Sequence, residues 1–99
     1  MEVNSVLIDK KDNVVTVVNE IKKGDTVTYL CDGKNLSLEA VSDIPIYHKI
    51  AVADINKDDV VLKYGQVIGK AIEEIKKGGI VNHFNIVSIP RKYEDMLLK

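Results

Sequence analysis

A phrase of the form Ile-x-x-Gly/Asp-x-x-Val occurs three times in the 99 residues, and this recurrence limits the possible folds more than any other feature. Residues 19–29 read NEIKKGDTVTY, residues 53–64 read ADINKDDVVLKY and residues 73–83 read EEIKKGGIVNH. Alignment superposes Ile21, Ile55 and Ile75, then Gly24, Asp58 and Gly78, then Val27, Val61 and Val81. Each copy has an apolar residue to bury, two polar residues to cross the surface, and a Gly or Asp suited to unusual backbone angles. The copies are short and unequally spaced, which argues against a solenoid. They predict one turn type reused around a compact barrel or clip of short strands.

Each turn delivers the chain into a strand-like segment. Thr26, Val27, Thr28 and Tyr29 are β-branched or aromatic and alternate in polarity. Further strands are expected at residues 5–9, 14–18, 37–41, 49–53, 60–64, 66–72 and 83–87. They are separated by turn signals at Asp12-Asn13, Asp32-Gly33, Ile44-Pro45, Gly65 and Gly78-Gly79. With one Phe, four Tyr and no Trp, the core must rest on Val, Ile and Leu, which again favours strands. Only residues 91–99, after Pro90, read as a helix, whose Met96, Leu97 and Leu98 would cap the barrel or meet another chain. A chain of this length supports one domain, 1–99, with an all-β fold and a short C-terminal helix.

Charge and composition exclude several function classes. Fourteen basic and fifteen acidic residues give a net charge of -1, without the basic surplus that phosphate backbones require, so no nucleic acid is expected. No apolar run is long enough for a membrane span, and the N-terminus lacks a secretory pattern, so a cytoplasmic location is expected. Cys31 is the single cysteine, which rules out an internal disulfide; it reads as an ordinary strand residue.

Residues 44–69, IPIYHKIAVADINKDDVVLKYGQVIG, resemble the hallmark segment of the SAF domain of altronate and galactarate dehydratases and of the sulfolactate sulfo-lyase small subunit. Pro45, His48, Lys49, Asp54, Ile55, Tyr64, Gly65, Ile68 and Gly69 fill the family's positions, and the likeness spans roughly residues 12–88. Three departures stand out. Tyr47 replaces the usual Gly before the His, Gln66 replaces the usual Glu after Tyr-Gly, and residues 82–85 read Asn-His-Phe-Asn where many members have His-x-His-Asn.

The resemblance implies a β-clip fold, related to antifreeze-like domains, and a small subunit of a sugar-acid hydro-lyase that binds a hydroxylated carboxylate at the interface with a large dehydratase subunit. It also implies a divalent metal, iron or manganese, in the assembled enzyme; no cofactor is expected for this chain alone, and its metal ligands are unknown. The isolated chain is expected to be inactive, and self-association is left open. The alternative is a non-catalytic carbohydrate-binding or assembly module.

On the implied chemistry, a base removes a proton alpha to a carboxylate and cations stabilise the enediolate. His48 is the candidate catalytic residue, since it exchanges protons near neutral pH. Lys49, Tyr64, Gln66, His83 and Asn85 are the candidate substrate-binding residues. His83 and Asn85 would share a face if their segment is a strand.

Overall fold

In the computed structural model, which describes residues 3–88, every copy of the repeated phrase is the same hydrogen-bonded corner. The residue after each Ile accepts a hydrogen bond from the N–H three residues on: Asp25 to Lys22, Asp59 to Asn56 and Gly79 to Lys76, at 2.9, 3.0 and 2.8 Å. The third residue of each turn has positive φ: 92° at Gly24, 75° at Asp58 and 88° at Gly78. This combination is the signature of a type II turn.

A fourth copy exists that is not apparent in the sequence. His48 donates to the Pro45 carbonyl at 3.1 Å, and Tyr47 takes φ 68°. Tyr47 therefore occupies the place held elsewhere by Gly or Asp, which gives a physical reason why glycine is usual there. In two copies an Asp side chain also accepts from the first turn residue, Asp25 from Lys22 N–H and Asp59 from Asn56 N–H. In the fourth copy Pro45 has no N–H to donate, and His48 stands where the Asp would be.

The corners work in pairs. Ile21 and Ile44 exchange both backbone hydrogen bonds, and so do Ile55 and Ile75, all at 2.8–2.9 Å. In each case the positive-φ residue donates to the residue four places before the partner Ile: Gly24 to Ala40, Tyr47 to Val17, Asp58 to Ala71 and Gly78 to Ala51. Residues 17–50 and 51–81 are thus two versions of one unit, each closing its paired corners around a hairpin.

Nine strands are formed among the described residues: β1 (Ser5–Val6), β2 (Val14–Val17), β3 (Thr26–Cys31), β4 (Lys34–Glu39), β5 (Lys49–Ala51), β6 (Val60–Lys63), β7 (Gln66–Ala71), β8 (Ile80–Val81) and β9 (Ile86–Ser88). The all-β expectation holds for these residues. All pairings are antiparallel: a four-stranded sheet in the order β1-β2-β5-β8, the β3-β4 hairpin, and a three-stranded sheet in the order β6-β7-β9. Both hairpins end in two-residue turns with positive φ at each central residue, Asp32-Gly33 and Tyr64-Gly65, as type I′ geometry demands. Residues 83–85, expected to begin a strand, lie in a turn instead, because Asn82 and Asn85 side chains hydrogen-bond the local backbone. The expected helix at 91–99 lies outside the described residues. No helix among the described residues is long and apolar enough to cross a membrane.

The centre of the four-stranded sheet is buried on both faces, which explains the unbroken apolar run of Val14 and Val15. Val15, Val17 and Ile50 face a cluster with Ile21, Val27, Tyr29, Leu38, Ala40 and Ile44. Val14, Ala51 and Val81 face a second cluster with Ile55, Val61, Ala71 and Ile75. Cys31 packs at the margin of the first cluster. Gly78 lies where the units meet: its carbonyl accepts from Val41 N–H, and a Cβ there would collide with the Glu39 carbonyl.

Two substitutions test this geometry by thermal unfolding. Tyr47→Gly should stabilise the chain by about 1 kcal/mol, since left-handed strain at a side-chain-bearing residue outweighs the chain entropy of glycine, raising Tm by roughly 4–8 °C. Gly78→Ala should destabilise by more than about 2 kcal/mol. Unchanged Tm in both variants would contradict the corner assignment.

Candidate functional site

The β6-β7 hairpin tip is fixed from a distant part of the chain. The buried Asp12 carboxylate accepts hydrogen bonds from Tyr64 N–H at 2.9 Å, Gly65 N–H at 2.8 Å and Asp9 N–H at 3.2 Å. Next to it, the Asn13 side chain accepts from Leu62 N–H at 2.8 Å and donates to the Val60 carbonyl at 3.0 Å. These bonds flank the register shift between Val61 and Leu62, where the strand's own ladder is interrupted. Asp12-Asn13 therefore does more than form the expected turn: it holds the edge that carries Lys63, Tyr64 and Gln66.

Gly65 and Gly69 serve the backbone. A Cβ on Gly65 would lie 2.7 Å from the Asp9 carboxylate, and one on Gly69 would lie 2.6 Å from the Val87 carbonyl. Tyr64 shares the tip. It is non-glycine at φ 59°, 57% exposed, and its ring centroid lies 4.9 Å from the Lys63 ammonium.

Lys49 lies on the neighbouring four-stranded sheet. It opens β5, pairs with Thr16 across the sheet, and lies on the face of the second cluster. Partial burial, and then the nearby Lys63 charge, hold its ammonium below its ordinary pKa of 10.5. The structure thus brings Lys63 and Tyr64 together at the hairpin tip, and Lys49 feels the Lys63 charge from the adjoining sheet. Lys63 is not among the candidates the sequence singles out, although its position beside Tyr-Gly is an available signal.

Of the other candidates, His48 adjoins Lys49 in the chain and Gln66 lies across the hairpin from Lys63, whereas His83 and Asn85 belong to a separate turn. His48 closes the Pro45 turn and is exposed, with Nδ1 3.3 Å from the Ile46 carbonyl oxygen. Gln66 is exposed at the start of β7, opposite Lys63. His83 and Asn85 do not share a strand face, because both lie in the turn before β9. Asn85 is engaged at both ends of its amide, donating to the Ile80 carbonyl at 2.7 Å and accepting from Asn82 N–H at 2.9 Å. His83 stacks on Phe84 with ring centroids 4.1 Å apart. Among the described residues, no side-chain hydrogen bond or ion pair links these four to the side chains of Lys49 or Lys63, and no group of three His, Cys, Asp or Glu side chains could hold a metal ion. No chemical step is therefore assigned to a metal on this chain.

The altronate/galactarate dehydratase SAF domain matches residues 3–89, which includes every described residue. The chain belongs to this family. Among SAF-domain relatives, the (2R)-sulfolactate sulfo-lyase subunit alpha of Chromohalobacter salexigens is 33% identical over 89 residues, covering 87% of this chain and 95% of that subunit. Altronate dehydratase of Bacillus subtilis is 34% identical over 80 residues, covering 81% of this chain. Galactarate dehydratase (L-threo-forming) of Escherichia coli is 33% identical over 84 residues, covering 83%. This SAF chain spans only 15% of either dehydratase.

Two expectations arise from the site. Asp12→Ala deprives three N–H donors of a charged acceptor and should cost about 2–3 kcal/mol in denaturant unfolding, whereas retained stability would remove the clamp. For Lys49, the unfolded chain holds the proton more tightly, so its burial opposes folding at neutral pH. That cost disappears as pH rises through the folded-state pKa toward 10.5. Lys49→Met should therefore exceed the parent in stability at pH 7, with a gap that narrows at alkaline pH; a gap independent of pH would contradict the stated cause.

Proposed function

We propose that the chain is a small lyase subunit that lends part of a binding rim for a hydroxylated carboxylate to a larger, separate catalytic polypeptide. Its near-complete coverage of a sulfo-lyase alpha subunit, against a small fraction of the dehydratases, supports this reading most directly. The same domain is found as a subunit in the sulfo-lyase relatives and within much longer chains in the dehydratases.

The chemistry asked of such a rim is limited. Elimination of water or sulfite from a hydroxy acid needs a base for a weakly acidic proton and cations for the charge developing on the carboxylate. His48 is exposed and retains an open ring nitrogen: with Nδ1–H donating to Ile46, the Nε2 lone pair is presented outward to accept a proton. Lys49 supplies a cation that is partly desolvated and therefore acts more strongly than one in open water. Walls and the remaining groups would come from the larger chain, because a core of this size leaves little room for a closed polar cavity.

The test is reconstitution with a co-purified larger chain and an assay on aldonate, aldarate and sulfolactate substrates. His48→Ala is expected to lower kcat by about 100-fold or more without dissociating the complex, while the isolated chain shows negligible turnover. An intact, fully active His48→Ala complex would remove His48 from the reaction. Robust turnover by the pure chain would reject the subunit reading.

A further inference from the structure

The tip of the β6-β7 hairpin is held by more bonds than its turn requires. A two-residue type I′ turn closes a hairpin by itself. Here the buried Asp12 carboxylate also accepts from Tyr64 N–H at 2.9 Å and Gly65 N–H at 2.8 Å, while the Asn13 side chain bonds Leu62 N–H at 2.8 Å and the Val60 carbonyl at 3.0 Å. These four bonds reach the hairpin from 47 to 53 positions away in the sequence. Burial of a carboxylate opposes folding, and among the described residues no ion pair offsets it at Asp12.

What is held so firmly faces outward. Tyr64 stands at a turn position that favours Asn, Asp or Gly, takes φ 59° and is more than half exposed. Its ring lies 4.9 Å from the Lys63 ammonium. Lys63 is half-buried, and among the described residues its ammonium has no carboxylate within ion-pair distance. A strained, exposed aromatic adds nothing to either apolar cluster, and a half-desolvated cation against a ring is left without a counter-charge. Both are remedied by a surface outside the chain. A fixed tyrosine beside a cation has the make-up of a protein-protein hot spot, and the cation calls for an acidic group on the opposing surface. A small molecule is a poorer fit, because a hairpin tip offers it one side whereas a pocket encloses most of its guest.

We propose that the tip formed by Lys63, Tyr64 and Gly65 is the anchor by which this chain docks into the larger catalytic chain, with Tyr64 in an apolar socket and Lys63 paired to a carboxylate at its rim. This rests on the reading above for the existence of the larger chain. Asp12 is a positioning residue: it acts through the tip backbone, fixing Tyr64 before the encounter so that little freedom is lost on docking. Tyr64 thereby serves assembly, while His48 and Lys49 remain the groups offered to the ligand.

The test is the affinity of the full chain for the co-purified larger chain, measured calorimetrically at low and high salt, with kcat and KM of the reconstituted complex assayed in parallel. Tyr64→Asn must fold, because Asn tolerates the left-handed turn position; its Tm is expected to hold or rise while affinity falls at least about 10-fold. Lys63→Gln should weaken the complex at low salt and flatten its salt dependence. Asp12→Asn, which keeps one acceptor oxygen, should weaken the complex by about 3-fold or more, yet add nothing in the Tyr64→Asn background, a coupling that a general loss of stability does not produce. Parent affinity in Tyr64→Asn would overturn the anchor and leave the lyase reading standing; parent affinity with a raised KM would assign the tip to the substrate instead. A complex that depends on Tyr64 but eliminates neither water nor sulfite would sink the lyase reading alone. Failure of any larger chain to bind would remove both.

Discussion

Reciprocal hydrogen bonding between isoleucine-centred corners is the constraint on which the rest of the molecule depends. Each pair, Ile21 with Ile44 and Ile55 with Ile75, exchanges two backbone bonds, while the positive-φ residue of each corner reaches back to the strand leading into its partner. The isoleucines themselves are almost fully buried, so the same residues that satisfy the backbone also supply the two apolar clusters. Losing one of these side chains to alanine belongs to the class of core truncations costing about 2–5 kcal/mol, a large share of the stability of a small domain.

This framework places the functional edge by joining residues far apart in sequence. The second pair of corners directs β6 and β7 outward as a hairpin, and Asp12 and Asn13 take hold of that hairpin's tip and of its irregular register. Lys63 is thereby held at the tip beside Tyr64, while the position of Lys49 is fixed by β5 lying between β2 and β8. Partial burial, and secondarily the charge of Lys63, disfavour the charged form of Lys49 and so oppose folding. Such local conflicts are expected at binding sites, where ligand contacts take precedence over stability. The exposed surface ion pairs at Lys22, Lys70 and Lys76 are of a different kind and contribute little.

Much of the fold is legible in the sequence because its controlling feature is local. The Ile-x-x-Gly/Asp phrase carries its own turn geometry, and three corners align directly. The fourth is hidden by Tyr47, a residue that ordinary turn chemistry disfavours where the other copies hold Gly or Asp. The turn at residues 82–85 reads as strand because Asn85 alternates correctly with His83, whereas its amide is spent on the local backbone. The site is legible in pieces. His48, Lys49 and Tyr64 stand out by type and by family likeness, but the effect of Lys63 on Lys49 and the clamp by Asp12 link positions 14 to 53 apart, which no local pattern records.

Division of labour between two polypeptides is the central functional claim, and a structure of the assembled complex with a bound hydroxy acid examines it directly. One carboxylate of the ligand is expected within hydrogen-bonding distance of the Lys49 ammonium, with the remainder held by the larger chain. A ligand enclosed wholly by the larger chain, with the Lys49 and Tyr64 edge facing bulk water, would contradict it.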